Sequence, residues 1–354
     1  MTDPGERLRS SLATDSASSA GADWDSPIAM EALRATRVLH AADQEPFPAP
    51  SRIRIITIAN QKGGVGKTTS TVNLGVALAL YGLRTLVVDL DPQGNTSTAL
   101  GVDHTVGTPS IYDALVGDST LSEVVHPTTA SPNLRCVPAT IDLAGAEIEL
   151  VSVVAREHRL RRAIEAHIAA LPEEERPHYV LIDCPPSLGL LTLNALVAGD
   201  EVLIPIHCEY YALEGLGQLL SNIDLVRAHL NPAITVRSIL LTMYDGRTKL
   251  ADQVADEVRN HFGDLVLTSV IPRNVRVSEA PGYGQSVLTY DPGSRGSTSY
   301  VEAARELAQR GAVLPPLERA TTPGGLPPVP PVAALILGEP SAPTADPPRT
   351  QESP

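Results

Sequence analysis

Aromatic residues are scarce in this 354-residue chain: two Phe, one Trp and nine Tyr amount to 3% of it. A core must therefore come from Ala, Val and Leu, which are abundant. Three cysteines, Cys136, Cys184 and Cys208, stand apart without a C-x-x-C pair. That spacing excludes a disulfide framework, a zinc ribbon and a paired-cysteine cluster site, and leaves them as small packing residues. No uninterrupted apolar run reaches the roughly 18 residues that a membrane-spanning helix needs. The opening MTDPGERLRS lacks the apolar centre of a signal peptide, so the expected location is the cytoplasm. Positive charge is also short, with 27 Lys and Arg against 41 Asp and Glu, a formal net charge of −14. Bulk charge therefore speaks against a nucleic-acid binder, and any DNA contact needs a local basic patch.

What is present divides into two tails and a centre. Residues 1–50 are rich in Ser, Ala, Asp and Pro and end in EPFPAPS, the composition of a linker. Within them a short helix over 26–40 is expected: Ser26 suits the N-cap and Pro27 the first helical position, with Ile28, Leu33, Val38 and Leu39 available to bury. It is read either as a loosely ordered piece or as a docking motif for a tail-binding partner. The last forty residues hold twelve of the chain's 31 prolines, which predicts a disordered, proline-rich tail over 313–354. LPPVPPV within it has the form of a polyproline ligand or an extended linker.

The centre, 51–312, alternates strand-length apolar runs with helical patterns. RIITIA (54–59), TLVVDL (85–90), YVLIDCP (179–185), EVLIPIH (201–207) and VRSILLT (236–242) are near-continuous hydrophobic runs, as in strands covered on both faces. Helices are expected over 68–81, 143–170, 210–230 and 250–262, the last with Leu250, Val254, Val258 and Phe262 at i, i+4 spacing. The order predicts an α/β fold with a doubly wound, mostly parallel sheet.

Between the first strand and the first helix lies NQKGGVGKTT. A glycine-rich turn that runs into a helix aims backbone N–H groups at an anion. Gly63, Gly64 and Gly66 let the backbone curl around phosphates, Lys67 reaches the β- and γ-phosphates, and the Thr68 hydroxyl suits Mg²⁺. The common pattern, G-x-x-x-x-G-K-[ST], wants glycine at position 61, where this chain has Gln61, and a second lysine, Lys62, precedes the glycines.

Carboxylates follow at strand ends, the edge where an open α/β sheet binds ligands. In VVDLDPQGN, Asp89 and Asp91 alternate, so as strand residues they point to opposite faces and only one faces a nucleotide. The residues alone leave both open. YVLIDCPPSLG places Asp183 at the end of an apolar strand before a Pro-Pro turn, the pattern of a Walker B strand that binds Mg²⁺ through water.

The K-G-G-x-G-K-T motif resembles the deviant Walker A of the ParA/MinD class of P-loop NTPases. NQKGGVGKTTSTVNLG, VDLDPQGN, EYYALEGL, TMYDGRT and IPRNVRVSEAPGYGQSV together resemble the ParA/Soj partitioning ATPases over roughly 53–312. The resemblance implies ATP and Mg²⁺ as cofactors and an ATP-dependent homodimer in which Lys62 crosses to the partner's nucleotide, as an arginine finger does. It implies catalytic roles for Lys62, Lys67 and Asp91, the last in the switch I position, with Asp89 in support. ATP would be held by Gly63, Gly64, Val65, Gly66, Lys67, Thr68 and Thr69, with Pro272 and Asn274 at the adenine. Mg²⁺ would be held by Thr68, Asp91 and Asp183. Arg247 and Arg276 would contact the phosphates of nonspecific double-stranded DNA, with Lys249 and Arg273 adding to the patch.

The implied function is DNA segregation: a nucleoid-associated dimer that a ParB-like centromere-binding protein triggers to hydrolyse ATP and leave the DNA. His207 and Cys208 depart from the pattern, where glutamine and a small polar residue are expected. Three other readings compete. A MinD-like, membrane-associated division-site ATPase needs a basic amphipathic C-terminal helix, and this C-terminus is proline-rich. An iron–sulfur reductase component needs paired cysteines, and an amidating or carboxylating synthetase needs a substrate pocket. A non-hydrolysing scaffold is at odds with the full set of Lys67, Thr68, Asp91 and Asp183.

Overall fold

The computed structural model describes residues 26–209 and 214–313. Residues 1–25 of the expected linker, residues 314–354 of the proline-rich tail with LPPVPPV, and part of EYYALEGL lie outside the described residues.

The apolar runs form one eight-stranded sheet in the order β3-β4-β2-β5-β1-β6-β7-β8. The strands are β1 (Arg54–Ile58), β2 (Thr85–Asp89), β3 (His126–Pro127), β4 (Leu134–Val137), β5 (Tyr179–Asp183), β6 (Glu201–His207), β7 (Thr235–Tyr244) and β8 (Val266–Pro272). Every pairing is parallel except that of β3 with β4. The carboxyl ends of β1, β2, β5, β6, β7 and β8 therefore share one edge.

Helices cover both faces, as buried parallel strands require. On one face α2 (Lys67–Leu80) and the C-terminal α7 (Arg295–Ala312) bury Val72, Leu74, Val76, Leu78, Tyr300 and Leu307. On the other, α3 (Arg159–Ala170), α4 (Leu190–Ala198), α5 (Glu214–His229) and α6 (Lys249–Phe262) contribute Leu160, Ile164, Leu191, Ile223, Val254 and Val258. The result is a doubly wound α/β/α sandwich. Its three cysteines are free thiols packed in the core.

The first turn of the fold is tied at its base by a buried ion pair. Arg54 opens β1 and Glu201 opens β6; Nε donates to Glu201 Oε1 at 3.0 Å and Nη2 to Oε2 at 2.6 Å. Arg54 Nη1 also donates to the Leu307 carbonyl on α7 (2.6 Å) and to the Tyr179 hydroxyl on β5 (3.3 Å). One guanidinium thus joins three strands and the C-terminal helix.

Several expectations change. The helix expected over 143–170 is two, Leu143–Glu149 and α3, separated by 3-10 turns. The β-branched run in LVSVVA opposes helix, and Ala155 has φ 53°, which breaks it. The N-terminal segment is not a separate linker throughout. Helix α1 (Pro27–Leu39) is N-capped by Ser26, whose hydroxyl accepts from the Ala29 N–H at 3.2 Å. Beyond it, Val38, Ala41 and Phe47 belong to the core, and Phe47 stacks on Tyr81 with ring centroids 4.3 Å apart. Of the four apolar residues expected to bury from α1, Val38 does so, while Ile28 is 81% and Leu39 68% exposed. Strands β3, β4 and β8 were not expected; the first two are short, and VLTSVIP mixes polar residues into its run.

Candidate nucleotide site at the carboxyl edge of the sheet

The loop after β1 is held open from below. Asn60 is buried, its side-chain N–H donates to the Pro205 carbonyl on β6 at 2.8 Å, and its Oδ1 accepts from the Lys62 backbone N–H at 3.0 Å. The Thr242 hydroxyl on β7 donates to the Val65 carbonyl at 2.8 Å. Gly64 (φ 71°) and Gly66 (φ 88°) take left-handed conformations that few other residues adopt. A Cβ on Gly63 or Gly64 would meet nothing within 4 Å, so the space beside these two glycines is open. Gly66 caps α2, whose first residue is Lys67. The loop and the helix N-terminus together form the phosphate cradle of a P-loop.

The two lysines differ in their surroundings. Lys67 is buried, and its Nζ donates to the Lys62 carbonyl at 3.3 Å. Burial lowers its affinity for a proton, against the pull of Asp183 and Asp91. Lys62 is paired elsewhere: its side chain is 35% exposed and its Nζ lies 3.4 Å from Glu209 Oε2. Thr69 is half-buried in the first turn of α2.

Asp183, at the end of β5, accepts from three hydroxyls: Thr68 (2.8 Å), Thr96 (2.7 Å) and Thr71 (3.2 Å). Asp89 and Asp183 are register partners on adjacent strands and both are fully buried. Burial raises the proton affinity of both. The charge of Asp183 adds to the rise at Asp89, while the Thr96 and Thr68 hydroxyls hold Asp183 down. Asp89 and Asp91 are not alternating strand residues, because β2 stops at Asp89. Asp91 lies in the following turn, accepts from the Gln93 N–H at 3.0 Å, and acts electrostatically on both Lys67 and Asp183. Asp89 is occupied in bracing that turn: it accepts from the Ser97 N–H (2.9 Å), the Ser97 hydroxyl (2.7 Å) and the Asp91 N–H (3.1 Å). Lys67, Thr68, Asp91 and Asp183 thus share one place, with Asp89 behind it.

These residues suit a hydrated Mg²⁺ beside a polyphosphate. Among the described residues no three His, Cys, Asp or Glu side chains gather into a metal cage, and Mg²⁺ needs none. It keeps several waters and takes one or two carboxylates plus phosphate oxygens. A cation here would favour the ionised form of two carboxyls that burial otherwise disfavours.

The remaining candidates lie along the same edge. Pro272 ends β8 opposite Tyr244, and Asn274 caps the turn Val275–Glu279 by accepting from the Arg276 N–H at 2.8 Å. The Arg273 N–H donates to the Tyr244 carbonyl at 2.9 Å, which ties the loop after β8 to that after β7. Arg247 and Arg276 stand on these two loops. Arg247 is 86% exposed and pairs with Asp245 at 2.7 Å, holding that carboxyl down to about 2. Arg276 is 54% exposed and pairs with Glu279 (2.9 Å) and Asp291 (3.2 Å). Lys249 and Arg273 are exposed beside them.

A family model described as an AAA domain matches residues 53–236. The sporulation initiation inhibitor protein Soj of Bacillus subtilis is 53% identical over 258 residues, which span 73% of this chain and 99% of that protein. The chain belongs to the ParA/Soj family of P-loop partitioning ATPases. The chromosome partitioning protein ParA of Caulobacter vibrioides is 51% identical over 258 residues, 73% of this chain and 95% of its own. Among solved structures, a cobyrinic acid a,c-diamide synthase from Mycobacterium smegmatis with a bound ATP analogue and magnesium is 38% identical. It covers 73% of this chain and 95% of its own, with a TM-score of 0.62.

Within this ParA/Soj chain the structure adds residues that the sequence reading missed. Thr71, Thr96 and Ser97 hold the two buried aspartates, and Glu209 pairs with Lys62. Hydroxyls in TTST and GNTST carry no pattern that separates aspartate ligands from helix surface. Glu209 opens EYYALEGL, where no local pattern marks it as the partner of a lysine 147 residues away. His207 directs Nε2 to Glu209 Oε1 at 3.3 Å, and Cys208 is buried.

Proposed function

We propose that this chain is a DNA-segregation ATPase that hydrolyses ATP as a sandwich dimer on nonspecific double-stranded DNA. The observation that carries the reading is the division between its lysines. Lys67 is buried, donates to the Lys62 carbonyl and feels the charge of Asp183, while Lys62 is part-exposed and its ammonium lies 3.4 Å from Glu209, outside its own loop. An ammonium so placed can serve a nucleotide presented by a second copy. In this reading Gly63, Gly64, Val65, Gly66, Lys67, Thr68 and Thr69 hold the phosphates, and Pro272 and Asn274 border the adenine. Thr68, Asp91 and Asp183 hold Mg²⁺, which when bound neutralises charge on the phosphates. Asp91 orients the attacking water. A ParB-like partner stimulates hydrolysis and so release from the nucleoid in the cytoplasm. Among the described residues no helix is long and apolar enough to cross a membrane. The C-terminal residues on which a MinD-like membrane anchor depends lie outside those described.

Nucleotide and metal are tested through stability. At a Mg²⁺-ATP concentration about 100 times its Kd, the wild type should gain about 2.7 kcal/mol. Asp183→Asn is expected to lose the Mg²⁺-dependent share of that gain, measured as melting shifts with ATP in Mg²⁺ and in a chelator. Equal shifts in both proteins would remove Asp183 from the metal site.

The DNA face is tested by its salt dependence. Arg247 and Arg276, doubled in a dimer, give four phosphate contacts at about 0.9 each in the slope of log K against log salt. Arg247→Ala with Arg276→Ala should reduce that slope by roughly 3.6 and weaken binding alike on unrelated sequences, since phosphate contacts carry no base information. The half-buried carboxylates that now pair with these exposed arginines are weaker anions than a DNA backbone and compete with it poorly. An unchanged slope by ATP-dependent fluorescence anisotropy would move the DNA face elsewhere.

A further inference from the structure

Both ends of the Lys62–Glu209 pair hang from one strand. The backbone of Lys62 is fixed by Asn60, which is bonded to the Pro205 carbonyl of β6. Glu209 follows the end of that same strand by two residues, and its Oε2 lies 3.4 Å from Lys62 Nζ. The other carboxylate oxygen, Oε1, lies 3.3 Å from His207 Nε2, which fixes the rotation of the carboxylate. The pair therefore forms within one protomer without movement of any element. It is also open to exchange: Lys62 is 35% and Glu209 51% exposed, so solvent or a stronger anion can displace either partner.

We propose that Glu209 is a positioning residue that holds Lys62 on its own protomer until dimerisation, where the partner's nucleotide phosphates replace the carboxylate. The inference rests on the trans role of Lys62 given above. A triphosphate carries more charge than a carboxylate, so ATP can outcompete Glu209 where the shorter and less charged diphosphate competes less well. The pair is thus a fixed cost on dimerisation, and the ammonium leaves its parked position only where the partner's phosphates hold it more strongly than Glu209 does. Each dimer breaks two such pairs, one per protomer. A single exposed pair holds its partners by a factor of about 1.5 to 5, so removing both should tighten dimerisation by the square, about 2- to 25-fold.

The test uses full-length protein and Glu209→Gln, which keeps the shape and removes the charge. In the nucleotide-free protein, the rate at which a water-soluble amine-reactive ester labels Lys62 should rise about 1.5- to 5-fold relative to Lys249, read by mass spectrometry. With ATP and Mg²⁺, the dimerisation constant from analytical ultracentrifugation should tighten about 2- to 25-fold in low salt. That advantage should vanish near 1 M salt, where the Debye length is about 3 Å; a purely structural role for Glu209 would not follow salt in this way. Unchanged Lys62 labelling overturns the proposal, as does faster labelling with a dimerisation constant equal to wild type. A wild-type chain that never dimerises with ATP sinks the trans reading and the exchange with it, while the labelling still reports whether Glu209 holds Lys62.

Discussion

Lys62→Ala is expected to slow ATP hydrolysis by about 10³-fold or more, the scale of losing a cation that reaches the transferred phosphoryl group from a second subunit. The loss should be selective. The contacts that Lys62 makes to shape its own loop run through its backbone: its N–H donates to Asn60 and its carbonyl accepts from Lys67. Alanine keeps both, so the P-loop should keep its form and the monomer should still bind ATP. Stable dimers should disappear. The measurements are single-turnover hydrolysis, nucleotide binding by calorimetry and sedimentation with ATP. A variant that hydrolyses within tenfold of wild type would return Lys62 to the status of a solvated loop residue.

The second large effect is on stability, far from the nucleotide. Arg54→Leu should destabilise the fold by as much as about 3–5 kcal/mol in urea denaturation, because it leaves the buried Glu201 carboxylate with only the longer contact to Arg52, at 3.8 Å. The Leu307 carbonyl and the Tyr179 hydroxyl also lose a donor. Adding Glu201→Leu should recover much of the loss, since the poorly compensated buried charge is then gone. Recovery should be partial, because the two contacts to α7 and β5 stay broken. A loss under about 1 kcal/mol in the single variant would mean that Arg52 or water compensates Glu201 and that Arg54 does not carry the base of the sheet. Since Arg54 and Glu201 open the strands that carry the P-loop and Glu209, the pair fixes the base of the sheet segment on which both lysines are mounted.

The elements that could be read from sequence are those with a local cause. Near-continuous apolar runs marked β1, β2, β5, β6 and β7, because a strand covered on both faces has no polar side to show. NQKGGVGKTT marked the phosphate loop, because its glycines and lysine answer to backbone geometry over ten residues. The helix over 143–170 was misread where periodicity continued through LVSVVA while Ala155 took a left-handed turn. Alternation does not govern Asp89 and Asp91 because the strand ends at Asp89, two residues short of Asp91. The core position of Phe47 was hidden by linker-like neighbours, since what decides it is Tyr81, a residue of the turn after α2.

By itself, the sequence determined the class of sheet, the P-loop, the second lysine and the order in which aspartates follow it. Those depend on interactions between near neighbours, and near neighbours are written side by side. Only the tertiary structure decided which groups meet. It set Asp183 against Thr68, Thr71 and Thr96, Arg54 against Glu201 at a separation of 147 residues, and Lys62 against Glu209 at the same separation. The reason is the strand order: β1 pairs with β5 and β6, two strands more than a hundred residues away. No local pattern encodes that adjacency, which comes from burying both faces of the sheet at once.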